Sequence, residues 1–235
     1  MGSKLPATKT ASDRKHGFLF VGNELVLDFL NTRLVQDGEP LELLPDFGAI
    51  LSWFRAADVL NSEEFTCLRS QWHETPQAQK IAESMRKLRE DLRKEILAWE
   101  RGKVIHRSTI DELNRLMLQH PMGTRVIAHG RVYSTEVWFA LREPEDLFAP
   151  LAHSAARLIT EVDRRRVRKC NQCVLHFHDT SKKGTRRWCS MQICGNRVKV
   201  AAYAARQRRR RESNPFQERG KKGTFLSSFD THHRR

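Results

Sequence analysis

Four of the five cysteines fall within one short stretch, in the order Cys170-x2-Cys173-x15-Cys189-x4-Cys194. Two close thiol pairs separated by an insert of this length are a structural zinc pattern. A two-residue gap lets both thiolates of the first pair point at one ion from a tight turn, and the insert is long enough to bring the second pair back. Four thiolates at about 2.3 Å complete a tetrahedron and leave no open position. The expected cofactor is therefore one structural Zn2+ held by Cys170, Cys173, Cys189 and Cys194. A closed site does not activate water, so the metal is not expected to be catalytic and the chain is not read as an enzyme. A nuclease would need a further carboxylate or histidine cluster, and no HExxH or DxD spacing occurs. His176 and His178 are substitute ligands by type, with surface or hairpin positions as the plainer reading. Cys67 stands alone in a helical stretch and is expected to be a buried, inert thiol.

Cationic side chains gather around this constellation. The whole chain carries 42 Lys+Arg against 28 Asp+Glu, a net charge of +14. Residues 1–160 hold 21 basic and 22 acidic groups, whereas residues 161–235 hold 21 and 6. A near-neutral body with a strongly basic end points to a polyanion partner, nucleic acid first; the plainer alternative is a solvated basic tail. Lys182, Lys183, Arg186 and Arg187 lie in the insert between the cysteine pairs, and Arg197, Lys199, Arg206 and Arg210 follow the last cysteine. Lys199, Tyr203, Arg206 and Arg210 are spaced to share one helix face, which suits phosphates along a groove. Guanidinium groups bind phosphate or base edges bidentately, although some of these arginines are equally suited to holding the insert to the helix. Asp179 reads as a turn cap or arginine partner.

These residues need elements to position them. The insert reads as a hairpin, with Val174–Phe177 outward, Ser181–Gly184 as the turn and Arg186–Trp188 returning, Phe177 and Trp188 packing beside the metal. The alanine-rich run after Cys194 reads as a helix. Upstream, a helix from about Leu147 to Arg168 is expected to deliver the chain to Cys170. Thr124–Phe139 is rich in strand formers around His129-Gly130 and predicts a β-hairpin. The clearest helix runs from about Pro76 to Trp99, with Ile81, Met85, Leu88, Leu92, Ile96 and Trp99 on one stripe and Arg89 among the charged residues of the opposite face. Shorter helices are expected after Asp46, over 62–72 and after Ser108 or Thr109. Another over Leu25–Thr32 has Asn23 as its N-cap. The fold class is thus α+β, mainly α: a helical N-terminal domain with a β-hairpin, followed by a small treble-clef-like zinc finger. The expected division is a disordered leader over 1–16, the helical domain over 17–163, the finger and its basic helix over 164–211, and a disordered basic tail over 212–235.

The stretch from Cys170 to Arg208 resembles the CGNR zinc finger. The likeness rests on Cys194-Gly195-Asn196-Arg197, the Cys170/Cys173 pair, Phe177-x-Asp179-Thr180-Ser181, Arg186-Arg187-Trp188-Cys189-Ser190-Met191 and Lys199. The N-terminal part resembles the ABATE domain, a stress-induced transcription regulator domain that precedes this finger. That likeness is carried by Gly22-Asn23, Leu27-Asp28-Phe29-Leu30-Asn31-Thr32 and the helix around Trp53. Together the resemblances imply a bacterial, cytoplasmic, DNA-binding transcriptional regulator.

Asp28, Asn31 and Thr32 interrupt an apolar segment, and with Trp53 they are candidates for a small-ligand pocket. The plainer reading is that Asp28 and Asn31 cap or buttress neighbouring helices. The expected partners are double-stranded DNA, a second copy of the chain in a homodimer, and a small-molecule effector. The competing reading is an RNA-binding protein using the same finger. An assembly module whose finger binds protein fits the basic charge less well. No apolar run approaches the roughly 20 residues of a membrane span, and the start lacks the apolar core of an export signal, so a cytoplasmic protein is expected.

Overall fold

The computed structural model describes residues 13–36 and 38–212. The remainder of the expected leader and the segment 213–235 of the expected tail lie outside them. The architecture is α+β and mainly helical. Helices α1 (Leu25–Leu30), α2 (Phe47–Ala56), α3 (Ser62–Trp72), α4 (Pro76–Glu100), α5 (Arg107–Gln119) and α6 (Phe148–Glu161) build the body. Among the described residues four two-stranded antiparallel ladders decorate it: β1 (Arg14–Lys15) with β2 (Phe18–Leu19), β3 (Arg33–Gln36) with β4 (Glu39–Glu42), β5 (Met122–His129) with β6 (Val132–Phe139), and β7 (Val167–Lys169) with β8 (His176–His178). The chain divides into two compact units, one ending at Cys194 and one beginning at Gly195. The second unit is, in its described part, helix α7 (Asn196–Glu212).

The helices start where local chemistry supplies an acceptor. Asp46 accepts the Ala49 N–H at the head of α2. Asn61 and Glu64 form a reciprocal capping box on α3. Thr75 caps α4, with Pro76 in the first turn, where its missing N–H costs nothing. The expected stripe of α4 is realised, with Ile81, Met85, Leu88, Leu92 and Ile96 all buried in one large core with α1, α2 and α6. Arg89 corrects the expectation: it is 1% exposed rather than on the solvent face. Its guanidinium binds both oxygens of Glu42 on β4, Nη1 lying 2.7 Å from Oε1, and also reaches the Thr32 hydroxyl at 2.9 Å.

Other local expectations are revised. Asn23 does not cap α1; it takes φ 60° and Glu24 occupies the cap position. α5 begins at Arg107, so the cap position falls to His106 rather than Ser108 or Thr109. α6 stops at Glu161, because Val162 turns extended and Asp163 accepts the Arg165 N–H to start a separate 3-10 turn. The chain therefore reaches Cys170 as strand β7 and not as helix. Cys67 is exposed.

Candidate metal centre and nucleic-acid interface

β7 and β8 run antiparallel in the register Val167↔His178, Arg168↔Phe177 and Lys169↔His176. The tight connection between them holds Cys170 and Cys173, and the Cys170 N–H closes it on the Leu175 carbonyl at 2.8 Å. The expected hairpin within 174–188 is thus corrected: its first strand pairs upstream, with β7. Residues 186–188 form no strand and instead return by a single backbone bond, Asn171 N–H to Arg187 O at 3.0 Å. Val167–Lys169 outcompetes them because it is adjacent across a shorter loop, and loop closure favours the nearer partner. The segment Ser190–Cys194 then folds into a tight turn. The Ser190 hydroxyl accepts the Gln192 and Ile193 N–H groups, and the Cys194 N–H reaches the Ser190 carbonyl.

These turns bring the four Sγ atoms of Cys170, Cys173, Cys189 and Cys194 within 4.8 Å of one another. Cys173 and Cys189 are 3.7 Å apart, Cys189 and Cys194 3.6 Å. A tetrahedron with metal–sulfur bonds of about 2.3 Å has edges of about 3.8 Å, whereas a disulfide would need about 2.05 Å. The spacing fits a shared ion. The charges fit it as well. The hydrogen bond from the Cys189 thiol pulls Cys173 down to about 5. That same bond and burial push Cys189 up; burial, then the Cys173 charge, push Cys194 up to about 12. A positive ion among the sulfurs offsets the charge that close thiolates impose on one another. The residues fit one structural zinc.

The floor under this centre is shared with the body. Phe177, Leu175, Cys170, Cys189 and Cys194 pack with Val21, and Leu19, Leu34 and Trp188 close around them. Hydrogen bonds tie β8 to the segment just before α1. The His178 N–H meets Gly22 O at 2.8 Å, and the Asn23 amide donates to His178 O at 2.8 Å. Asn31 grips His176, its amide donating to the carbonyl at 2.8 Å and its oxygen accepting the N–H at 2.9 Å. Gly22 has to be glycine here: a Cβ would stand 2.8 Å from the Asp28 backbone nitrogen. Sequence reading missed this socket. The available signal was a set of polar residues, Asn23 and Asn31, inside an apolar stretch.

The four ligand-pocket candidates are engaged in this framework. Asp28 accepts the Gly22 N–H at 2.7 Å, and Thr32 donates to Phe29 O and receives Arg89. Trp53 is fully buried against Phe20, Phe29 and Phe54. None of the four lines the groove of about 830 Å³ between α4 and α5 or the cleft of about 430 Å³ beside Arg89. His176 is buried with Nε2 3.4 Å from Glu100, and His178 Nδ1 lies 3.1 Å from Glu24. Neither histidine belongs to the sulfur cluster.

The cations divide into two sets. Arg166 donates to the carbonyls of Asp179 and Ser181, and Arg168 to that of Gly184. Arg186 lies 4.6 Å from the Phe177 ring centroid, and its Nε donates to Trp188 O. These three hold the loop of the finger. Asp179 anchors the same loop, accepting from Ser181 and from the Arg186 N–H. Burial opposes its charge, but those hydrogen bonds prevail and keep its carboxyl below the usual range. Lys182, Lys183 and Arg187 are exposed on the same loop. On α7, Lys199, Tyr203, Arg206 and Arg210 are exposed on one face, and Arg197 is exposed at its start.

A second group, His120, Glu143 and Asp146, also brings donor atoms within 4.8 Å. Asp146 there accepts the Arg142 and Glu143 N–H groups and His120 Nδ1, which is helix-start chemistry. Among the described residues no helix is long and apolar enough to cross a membrane.

Residues 23–162 match the ABATE family, described as "Putative stress-induced transcription regulator", and residues 166–207 match the CGNR zinc finger. A comparison with curated proteins finds no match.

Proposed function

The chain belongs to the ABATE family and carries a CGNR zinc finger behind that domain; from this premise we propose that it is a cytoplasmic, zinc-dependent transcriptional regulator that binds double-stranded DNA and has no catalytic role. The observation that carries the reading is the division of labour among the finger's cations. Arg166, Arg168 and Arg186 fold the loop around the metal. Lys182, Lys183 and Arg187 stay exposed beside it, in a segment that is strongly basic as a whole. Loop cations fixed by a rigid metal site bind phosphates with little ordering cost. The zinc is structural in this reading: it sets the loop, and the loop meets the backbone of the duplex. Asn31 and, through Gly22, Asp28 serve the junction between body and finger. Any signal received by the helical body, whether an effector or a second copy, would pass to the finger through that junction.

The test is fluorescence anisotropy of the zinc-loaded full chain on duplex DNA across a salt series, with RNA of the same sequence as competitor. With about 6 phosphates contacted, log K falls with log salt at a slope near −5. Binding that ignores salt, or none to any duplex, overturns the proposal. Preference for RNA replaces it with the RNA-binding reading.

A further inference from the structure

The β5–β6 hairpin leaves two edges unpaired. Among the described residues its strands pair only with each other, in a register that closes at His129↔Val132 around Gly130 and Arg131. Gly130 has φ 63°, which marks a type II′ turn. The closing pair of such a two-residue loop is hydrogen-bonded, and bonded and non-bonded pairs alternate from there. Tyr133, Thr135 and Val137 therefore turn their peptide N–H and C=O groups away from β5, onto the outer edge of β6. Apolar surface crowds the same hairpin: Val126 is 72% exposed, Tyr133 71%, Val132 67% and Trp138 38%. Neither proline nor lysine guards the strand, the usual defences of a free edge.

The edge is complementary to itself. β6 laid antiparallel to the same strand of a second chain, with a two-fold axis at Thr135, sets Thr135 against Thr135 and Tyr133 against Val137. On the other face it sets Val132 against Trp138 and Ser134 against Glu136. The outward peptide groups then fall in phase and pair with one another. Aromatic side chains meet β-branched or apolar ones, which favours cross-strand pairing, and no like charges are opposed. The outer edge of β5 offers less, because centring on Val126 opposes Thr124 to Ala128. We propose that the outer edge of β6 is the surface through which two copies of this chain join, making a four-stranded sheet across a two-fold axis. This goes beyond the DNA-binding reading and stands without it.

The test measures the mass of the zinc-loaded full chain by light scattering over a concentration series, without DNA. The wild type should reach twice 27.4 kDa. Thr135→Lys and Thr135→Glu each place like charges at the axis and should shift the mass to a single chain. Because Thr135 is exposed, both variants should keep their zinc and still melt in one cooperative transition. An equal mixture of the two should restore the two-chain mass, which requires both to be folded. A single-chain wild type at every concentration, a two-chain Thr135→Lys variant, or a mixture that stays single-chain overturns the proposal.

Discussion

Asn31 occupies both backbone hydrogen-bonding positions of His176, giving its amide to the carbonyl and taking the N–H on its oxygen. One side chain on the helical body thus acts as a third strand for the zinc knuckle. Both residues are buried, Asn31 at 2% and His176 at 3% exposure, so water does not replace the bonds when they are lost. Asn31→Ala should cost roughly 2–4 kcal/mol, since two buried backbone groups lose their partner. Urea denaturation reads the loss, and a chelator competition should show faster zinc release. An unchanged midpoint would mean that the junction contributes nothing.

Metal removal should be felt beyond the finger. Val21, Leu19 and Leu34 pack on the metal's hydrophobic floor. Stripping the zinc, or the Cys189→Ser variant, should therefore abolish hydrogen-exchange protection in β8 and lower it in α1 as well. Loss confined to residues 167–194 would contradict that coupling.

The arginines should separate by role. Arg186→Ala removes the contact with Phe177 and the bond to Trp188 O, so it should lower the melting temperature and loosen the metal. Arg187→Ala, Lys199→Ala and Arg206→Ala alter exposed side chains and should leave stability within about 0.5 kcal/mol. Each should reduce the salt slope of DNA binding by roughly 0.9 if its side chain meets a phosphate. Melting curves and anisotropy on the same samples check both halves.

Stability should fall as pH rises toward neutrality. Burial pushes the Asp28 carboxyl up to about 7, from an ordinary value of 3.8. The native state therefore keeps a proton that the unfolded chain has already released. This stabilisation is complete below the unfolded value and is lost as pH rises through the folded one. The slope is about 1.4 kcal/mol per pH unit below the folded value. Urea midpoints from about pH 4 to 7 should show the decline, which levels off above the folded value, and Asp28→Asn, which cannot ionise, should flatten it.

Spacing made part of this molecule legible. The four cysteines and the long stripe of α4 are local patterns, and both are realised. What sequence hid was long-range. Asn23 has the chemistry of a helix cap, but its partner is the carbonyl of His178, far along the chain. Arg89 looks like a solvent-facing charge until Glu42 and Thr32 are brought to it. Val174–Phe177 does contain strand-forming residues, yet nothing within the insert shows that Val167–Lys169 is the better partner. The stretch after Glu161 has no glycine or proline to end α6; the break depends on the Asp163 carboxylate capping the next turn.

The two halves of the Asn31–His176 clasp lie 145 positions apart in sequence. A ribosome adding about 5–20 residues each second releases Asn31 many seconds before the knuckle exists. During that interval Leu19 and Val21 have no lid, and no thiolate cage can yet be assembled to supply one. Metal capture must therefore come after the helical body has been made, and a cell short of zinc would accumulate molecules whose body is complete and whose one greasy patch is still open.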